Sequence, residues 1–185
     1  MRADLYEVLR QVRAEFRIPT LLVTHDLDEC FELGDDMHVV REGRIVQSGT
    51  PAGILDQPAT VEVARLLGIP NLFPAEITAL DPGRNTSKLR LDGFELAGAY
   101  YPGHFLGDRI WLSVQPGQLR AMPQAEQRPG PTQVPLKLIR SAETPRGKRL
   151  LFAGGITVDS TQESAERDNE DWLVEFPTRS LRVLG

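Results

Sequence analysis

The sequence holds a single cysteine, Cys30, in 185 residues. That excludes an internal disulfide and suits a reducing compartment. Positive charge is also short: 21 Lys and Arg stand against 26 Asp and Glu, a formal net charge of −5 with a pI near 5.3. No basic stripe exists to replace the counterions of a phosphate backbone, so nucleic acid is not expected as a partner. Apolar runs are only a few residues long, well below the ~20 that a membrane-spanning helix needs. The start, Met1-Arg2-Ala3-Asp4, lacks the apolar core of a signal peptide. These absences describe a soluble, intracellular chain with room for one good core or two small ones. His38 and His104 have no ligand-type neighbours at metal-binding spacing, so no metal site is expected.

What is present concentrates between Thr20 and Pro58. Leu21, Leu22 and Val23 form an unbroken apolar run, which predicts a short strand buried on both faces in a parallel sheet. His25 stands at its carboxyl end, where open α/β sheets bind ligands and an imidazole can reach a phosphate or a water. Asp26 is placed to cap a helix, with Glu29 three residues on, Leu27, Cys30 and Phe31 as its apolar face and Gly34 as its stop. Met37 to Val40 and Ile45 to Val46 flank Arg41-Glu42-Gly43-Arg44, a tight hairpin pattern.

This order of features resembles the ATP-binding subunits of ABC importers. The match is carried by Thr24-His25-Asp26, Glu29, Leu33-Gly34-Asp35, Gly43-Arg44-Ile45-Val46 with Gln47, Gly49-Thr50-Pro51, and Ile54-Leu55 before Pro58. Cys30 stands where the family more often has Ala. The resemblance implies that His25 is the switch histidine, which contacts the γ-phosphate of ATP and the attacking water. It also implies ATP and Mg²⁺ as cofactors of the complete subunit, a second copy of the subunit and membrane permease subunits as partners, and a cytoplasmic location on the inner face of the membrane. The sequence contains no G-x-x-x-x-G-K-[ST] phosphate loop. The chain therefore reads as the C-terminal part of such a subunit, with Met1 falling just after the segment that would carry the catalytic carboxylate. No cofactor and no ATP hydrolysis are expected of it alone.

Ahead of that stretch, Leu5, Val8, Leu9, Val12 and Phe16 recur at helical spacing, opposite Arg2, Glu7, Arg10, Arg13, Glu15 and Arg17. That pattern predicts an amphipathic helix of about four turns. Thr50-Pro51 and Thr60 open two further short helices. Ile69-Pro70-Asn71 reads as a linker. After it come short strands at Phe73 to Ala79, Lys88 to Leu91, Phe94 to Ala97 and Arg109 to Val114. Turns at Asp81-Pro82-Gly83, Asp92-Gly93, Pro102-Gly103 and Pro116-Gly117 punctuate this all-β pattern. The stretch from Pro123 to Pro135 is a solvated connection, and the acidic stretch from Thr161 to Asp171 a hairpin tip.

A repeat underlies the strands: Trp111-Leu112 returns as Trp172-Leu173 and Pro74 as Pro135, both 61 residues on (172 − 111 = 61; 135 − 74 = 61). The two tryptophans are expected as equivalent core or interface anchors. Each unit has the size of a small oligonucleotide/oligosaccharide-fold barrel. This half resembles the transport-associated OB domain that follows the ATPase domain in importers of oxyanions, sugars, polyamines and ferric ion. Relatives among the molybdate-binding proteins hold the anion where such units meet; their Ser-Ala-Arg-Asn opening is absent here.

The expected architecture is thus an α/β remnant of a P-loop ABC ATPase domain over residues 1–70, followed by tandem OB-like repeats at 71–122 and 134–185, with a linker at 123–133. Gly, hydroxyl and cationic residues shortly after the first strand of each repeat mark a candidate site for a tetrahedral oxyanion such as molybdate: Arg84, Ser87 and Lys88 in one, Arg146 and Lys148 in the other. The function expected is a regulatory, substrate-sensing portion of an importer's ATP-binding subunit. The alternatives are a free-standing oxyanion-binding protein and an ATPase complete in its natural form.

Overall fold

A computed structural model describes residues 2–16, 18–124, 129–145, 147–160 and 171–184. The chain divides into two compact units, residues 1–59 and 60–185. No described helix is long and apolar enough to cross a membrane.

The first unit contains α1 (Arg2–Phe16), α2 (Leu27–Leu33), a hairpin of β1 (Met37–Arg41) and β2 (Arg44–Gly49), and α3 (Pro51–Asp56). The hairpin turns through Glu42 and Gly43, with φ of 50° and 73°, the pair of left-handed residues that a two-residue turn requires. Thr50 caps α3 by accepting from the Gly53 amide at 3.1 Å, and Pro51 occupies the first turn, where its missing N–H costs nothing. Gln47 joins the hairpin to the exit of α3: its amide donates to the Gln57 carbonyl at 2.9 Å and accepts from the Ala59 amide at 2.8 Å.

One expectation for this unit fails. Leu21 to Val23 is not a strand, and Leu21 and Val23 are 86% and 88% exposed. A buried parallel strand exists only where neighbours accept its N–H and C=O groups on both sides. The only sheet among the described residues of this unit is the antiparallel β1–β2 pair, so the run has nothing to pair with. The parallel-sheet character expected of the first 70 residues is therefore not observed. Most of the apolar stripe of α1 is uncovered as well: Leu5, Val8, Val12 and Phe16 are exposed and Leu9 is half-buried.

The second unit contains α4 (Val61–Leu66) and ten strands: β3 (Leu72–Asp81), β4 (Thr86–Leu91), β5 (Phe94–Ala99), β6 (Arg109–Ser113), β7 (Arg120–Pro123), β8 (Gln133–Thr144), β9 (Gly147–Phe152), β10 (Thr157–Ser160), β11 (Asp171–Glu175) and β12 (Arg182–Leu184). They form two five-stranded antiparallel sheets, ordered β12-β6-β3-β4-β5 and β10-β9-β8-β11-β7. The repeat is therefore visible in three dimensions, with an exchange: the last strand of each half completes the sheet of the other. A bulge interrupts β3 between Ile77 and Ala79 and β8 between Leu138 and Arg140, the same place at an offset of 61 (138 − 77; 140 − 79). A single buried cluster, including Ile77, Leu89, Leu112, Leu138, Phe152, Trp172 and Phe176, runs through both sheets.

The tryptophans are not equivalent, contrary to the pattern. Leu112 faces Phe73 in one sheet and Val174 faces Val134 in the other. The fourth strand is thus offset by 62 (174 − 112) while the first is offset by 61 (134 − 73). One inserted residue moves every later side chain to the opposite face of the pleat. Trp172 accordingly takes the buried place of Ile110 and packs edge-on against Phe152, with ring centroids 6.2 Å apart. Trp111 lies half-buried under the Arg65 guanidinium, 5.3 Å from its ring centre.

Asn71 is no linker residue. It is fully buried; its side-chain amide donates to the Thr157 carbonyl at 2.7 Å and accepts from the Thr157 amide at 2.8 Å. In this way the start of β3 is fastened to β10 of the other sheet.

Candidate functional site

His25 sits on a bend between Thr24 and Asp26, with α2 starting two residues later. The Asp26 amide donates to the Thr24 hydroxyl at 3.0 Å. The Asp26 carboxylate accepts from the Asp28 amide at 3.0 Å and caps α2, as the sequence predicts. The two residues flanking His25 are therefore held by hydrogen bonds. The imidazole itself is exposed and makes no hydrogen bond among the described residues. A ring held this way can donate to or accept from a phosphate oxygen or a water brought to it.

α2 buries none of its residues. It is tied to α1 by polar contacts instead. The Tyr6 hydroxyl donates to Glu29 Oε1 at 2.7 Å, Arg10 lies 3.6 Å from Glu32, and Arg13 donates to the Leu33 carbonyl at 2.8 Å and pairs with the Asp35 carboxylate. The sequence pattern places Arg10 and Arg13 only on the face opposite the apolar stripe. The missed signal is their spacing: Tyr6, Arg10 and Arg13 recur at i, i+4 and i+7, opposite Glu29, Glu32 and Asp35 at i, i+3 and i+6. On the same helix, burial raises the Cys30 thiol pKa, and the Glu29 and Asp26 carboxylates raise it further. Both effects favour the neutral thiol over the thiolate.

Of the oxyanion candidates, Arg84 is exposed at the β3–β4 turn, 3.7 Å from Asp81, and Lys88 is exposed on β4. Ser87 is buried, its hydroxyl donating to the Ala99 carbonyl at 2.7 Å. Lys148 is the second residue of β9, its ammonium 3.8 Å from Glu143. Arg146 lies outside the described residues. The two turns belong to different sheets. Next to Lys148, Arg149 grips Asp159 across the β9–β10 pair with a two-pronged contact at 2.7 and 3.0 Å, which raises the Arg149 pKa. Among the described residues there is no group of His, Cys, Asp or Glu able to hold a metal ion.

No protein-family model matches the chain. Curated proteins do. The chain is 38% identical over 77 residues to an Fe(3+) ions import ATP-binding protein, FbpC, of Photorhabdus laumondii, covering 42% of this chain and 22% of that one. It is 31% identical over 121 residues to a spermidine/putrescine import ATP-binding protein, PotA, of Vibrio cholerae, covering 65% of this chain and 32% of that one. The chain thus spans less than a third of the length of these relatives. Among solved structures, the cytoplasmic molybdate-binding protein ModG superposes with a TM-score of 0.51 at 11% identity, over 61% of this chain and 94% of that one. That likeness shows the fold of the β-rich part.

Proposed function

We propose that the chain is the C-terminal, regulatory portion of an ABC importer's ATP-binding subunit. Its first unit contributes a switch histidine to an ATPase domain, and its tandem barrels report the state of the transporter or its substrate. The observation that carries this reading is the exposed His25, held between Thr24 and a helix-capping Asp26, in a chain that matches import ATP-binding proteins.

The residues present do not themselves hold ATP and Mg²⁺, because the sequence has no Gly-Lys-Ser/Thr loop. In the complete subunit His25 would meet a nucleotide bound by other segments and by a second copy. The exposed apolar residues Leu5, Val8, Val12, Phe16, Leu21 and Val23 would be covered by the rest of the ATPase domain, where the Leu21 run would find its neighbouring strands. The partners are membrane permease subunits, and the location is the inner face of the membrane. FbpC and PotA are named for unlike substrates, so the transported substrate is not written in the matched residues.

For the second unit the reading retains an oxyanion contact at the cationic turns. Arg84 in the β3–β4 turn, Lys88 within β4 and Lys148 near the start of β9 carry positive charge, whereas Ser87 would first have to release Ala99. Calorimetric titration with molybdate, tungstate and sulfate should show saturable binding weakened by Arg84→Ala or Lys148→Ala. Absence of heat from all three at millimolar concentration removes the sensing role. The ATPase reading is tested by a chimaera in which this chain replaces the matched segment of the Vibrio cholerae PotA. The purified 185-residue chain should not hydrolyse ATP and the chimaera should; a folded, inactive chimaera would overturn the reading.

A further inference from the structure

We infer that Tyr6, Arg10 and Arg13 of α1 are positioning residues for His25, acting as a polar ladder that sets the seat of α2. The inference rests on the proposed role of His25 for its functional meaning, but not for its geometry.

A seven-residue helix such as α2 has little stability of its own, and this one buries no side chain. The apolar stripe of α1 buries no residue fully and, Leu9 apart, is exposed, so it supplies no core either. What joins the two helices is polar and spans the length of α2. Tyr6 binds Glu29 in its first turn at 2.7 Å. Arg10 meets Glu32 at 3.6 Å. Arg13 satisfies the Leu33 carbonyl at 2.8 Å and pairs with Asp35 just beyond the end. The last contact does two jobs, since Leu33 is a helix-terminal carbonyl without an intrahelical donor and a guanidinium there also complements the helix dipole.

Single exposed ion pairs of this kind contribute little. Three rungs on one short helix act together, because each orders the side chains and backbone that the next one uses. The N-terminal end of α2 carries Asp26, whose cap and amide define the bend at His25. Any rotation or sliding of α2 along α1 is therefore transmitted to the direction of the imidazole.

The test uses the whole chain. It contains three histidines, His25, His38 and His104, so each imidazole C–H signal in a proton–carbon NMR spectrum can be assigned by single substitution. Arg13→Ala should shift the His25 signal, leave His38 and His104 in place, and speed amide exchange across residues 27–33 by about tenfold. Tyr6→Phe removes one oxygen and cannot by itself unfold the unit; it should move the His25 signal in the same direction by less. Glu15→Ala, on α1 but outside the ladder, should move nothing. An unmoved His25 signal in both ladder variants, or an equal shift in Glu15→Ala, overturns the inference. Because this readout needs no nucleotide, it can fail while the switch role of His25 stands, and the reverse.

Discussion

Replacing Asn71 by Ala should be among the most damaging single changes outside the hydrophobic core. The carboxamide donates to the Thr157 carbonyl at 2.7 Å and accepts from the Thr157 amide at 2.8 Å, and both residues are buried. Alanine leaves those two backbone groups unpaired in a place water does not reach. Each unpaired buried group costs about 1–3 kcal/mol, so the loss should be about 2–5 kcal/mol, out of a stability of about 5–15 kcal/mol for an ordinary domain. Asn71→Asp is sharper still, because it keeps the shape. Its carboxylate can accept from the Thr157 amide but faces the Thr157 carbonyl with an oxygen that cannot donate. The protonated acid can donate, so the folded state raises the pKa of the introduced Asp above its unfolded value of about 3.9. A raised folded pKa means that stability is fully present below the unfolded pKa and is lost as pH rises through the folded one. Asn71→Asp should therefore approach the parent at about pH 3–4 and fall furthest behind at neutral pH. Both tryptophans, Trp111 and Trp172, lie in the second unit, so guanidinium unfolding followed by tryptophan fluorescence reports this unit alone. A loss below about 0.5 kcal/mol for Asn71→Ala, or a pH-independent loss for Asn71→Asp, would refute the clamp.

The exchange of β7 and β12 between the sheets predicts one unfolding transition for both halves of the repeat, and two separated transitions in the same experiment would contradict it. Gly98→Ala should cost about 1–3 kcal/mol, because a Cβ there would lie 2.7 Å from both Leu89 Cδ1 and Ser87 Oγ; an unchanged melting temperature would show that β4 and β5 can part. Burial pushes the Tyr101 hydroxyl up to about 12, against smaller lowering contributions from the Ala99 backbone and the Arg182 charge. Its stabilising effect is complete below the ordinary tyrosine value of about 10 and is lost as pH rises toward 12. In absorbance titration Tyr101 should ionise well above pH 10, and Tyr101→Phe should reduce the loss of stability between pH 10 and 12; a tyrosine absorbance change already complete near pH 10 would exclude this.

Local chemistry was legible in the sequence wherever it is self-contained. The caps at Asp26, Thr50 and Thr60, the Glu42-Gly43 turn and the strand over Lys88 to Leu91 all need only neighbours within a few residues, and all are found. The 61-residue repeat was legible as well, since its bulges recur in register. What the sequence misplaced depends on partners distant along the chain. The Leu21 run has strand composition, but composition does not supply the neighbouring strands that make a strand. Asn71 looks like linker chemistry until Thr157, 86 residues away, is placed against it. A single inserted residue separated Trp111 from Trp172 in burial, and no local pattern reveals which side of an insertion keeps the register. Of the candidate site, the seat of His25 was readable and the ladder beneath it was not, because its rungs link two helices across a segment with no regular structure.

The proposed role of His25 in an importer ATPase is tested most directly by the turnover of the PotA chimaera with and without His25→Ala. Loss of a positioned group that acts in the transition state should lower kcat by about a hundredfold or more while leaving ATP binding and the melting temperature unchanged. A chimaera that hydrolyses ATP equally well with alanine at position 25 would contradict the account.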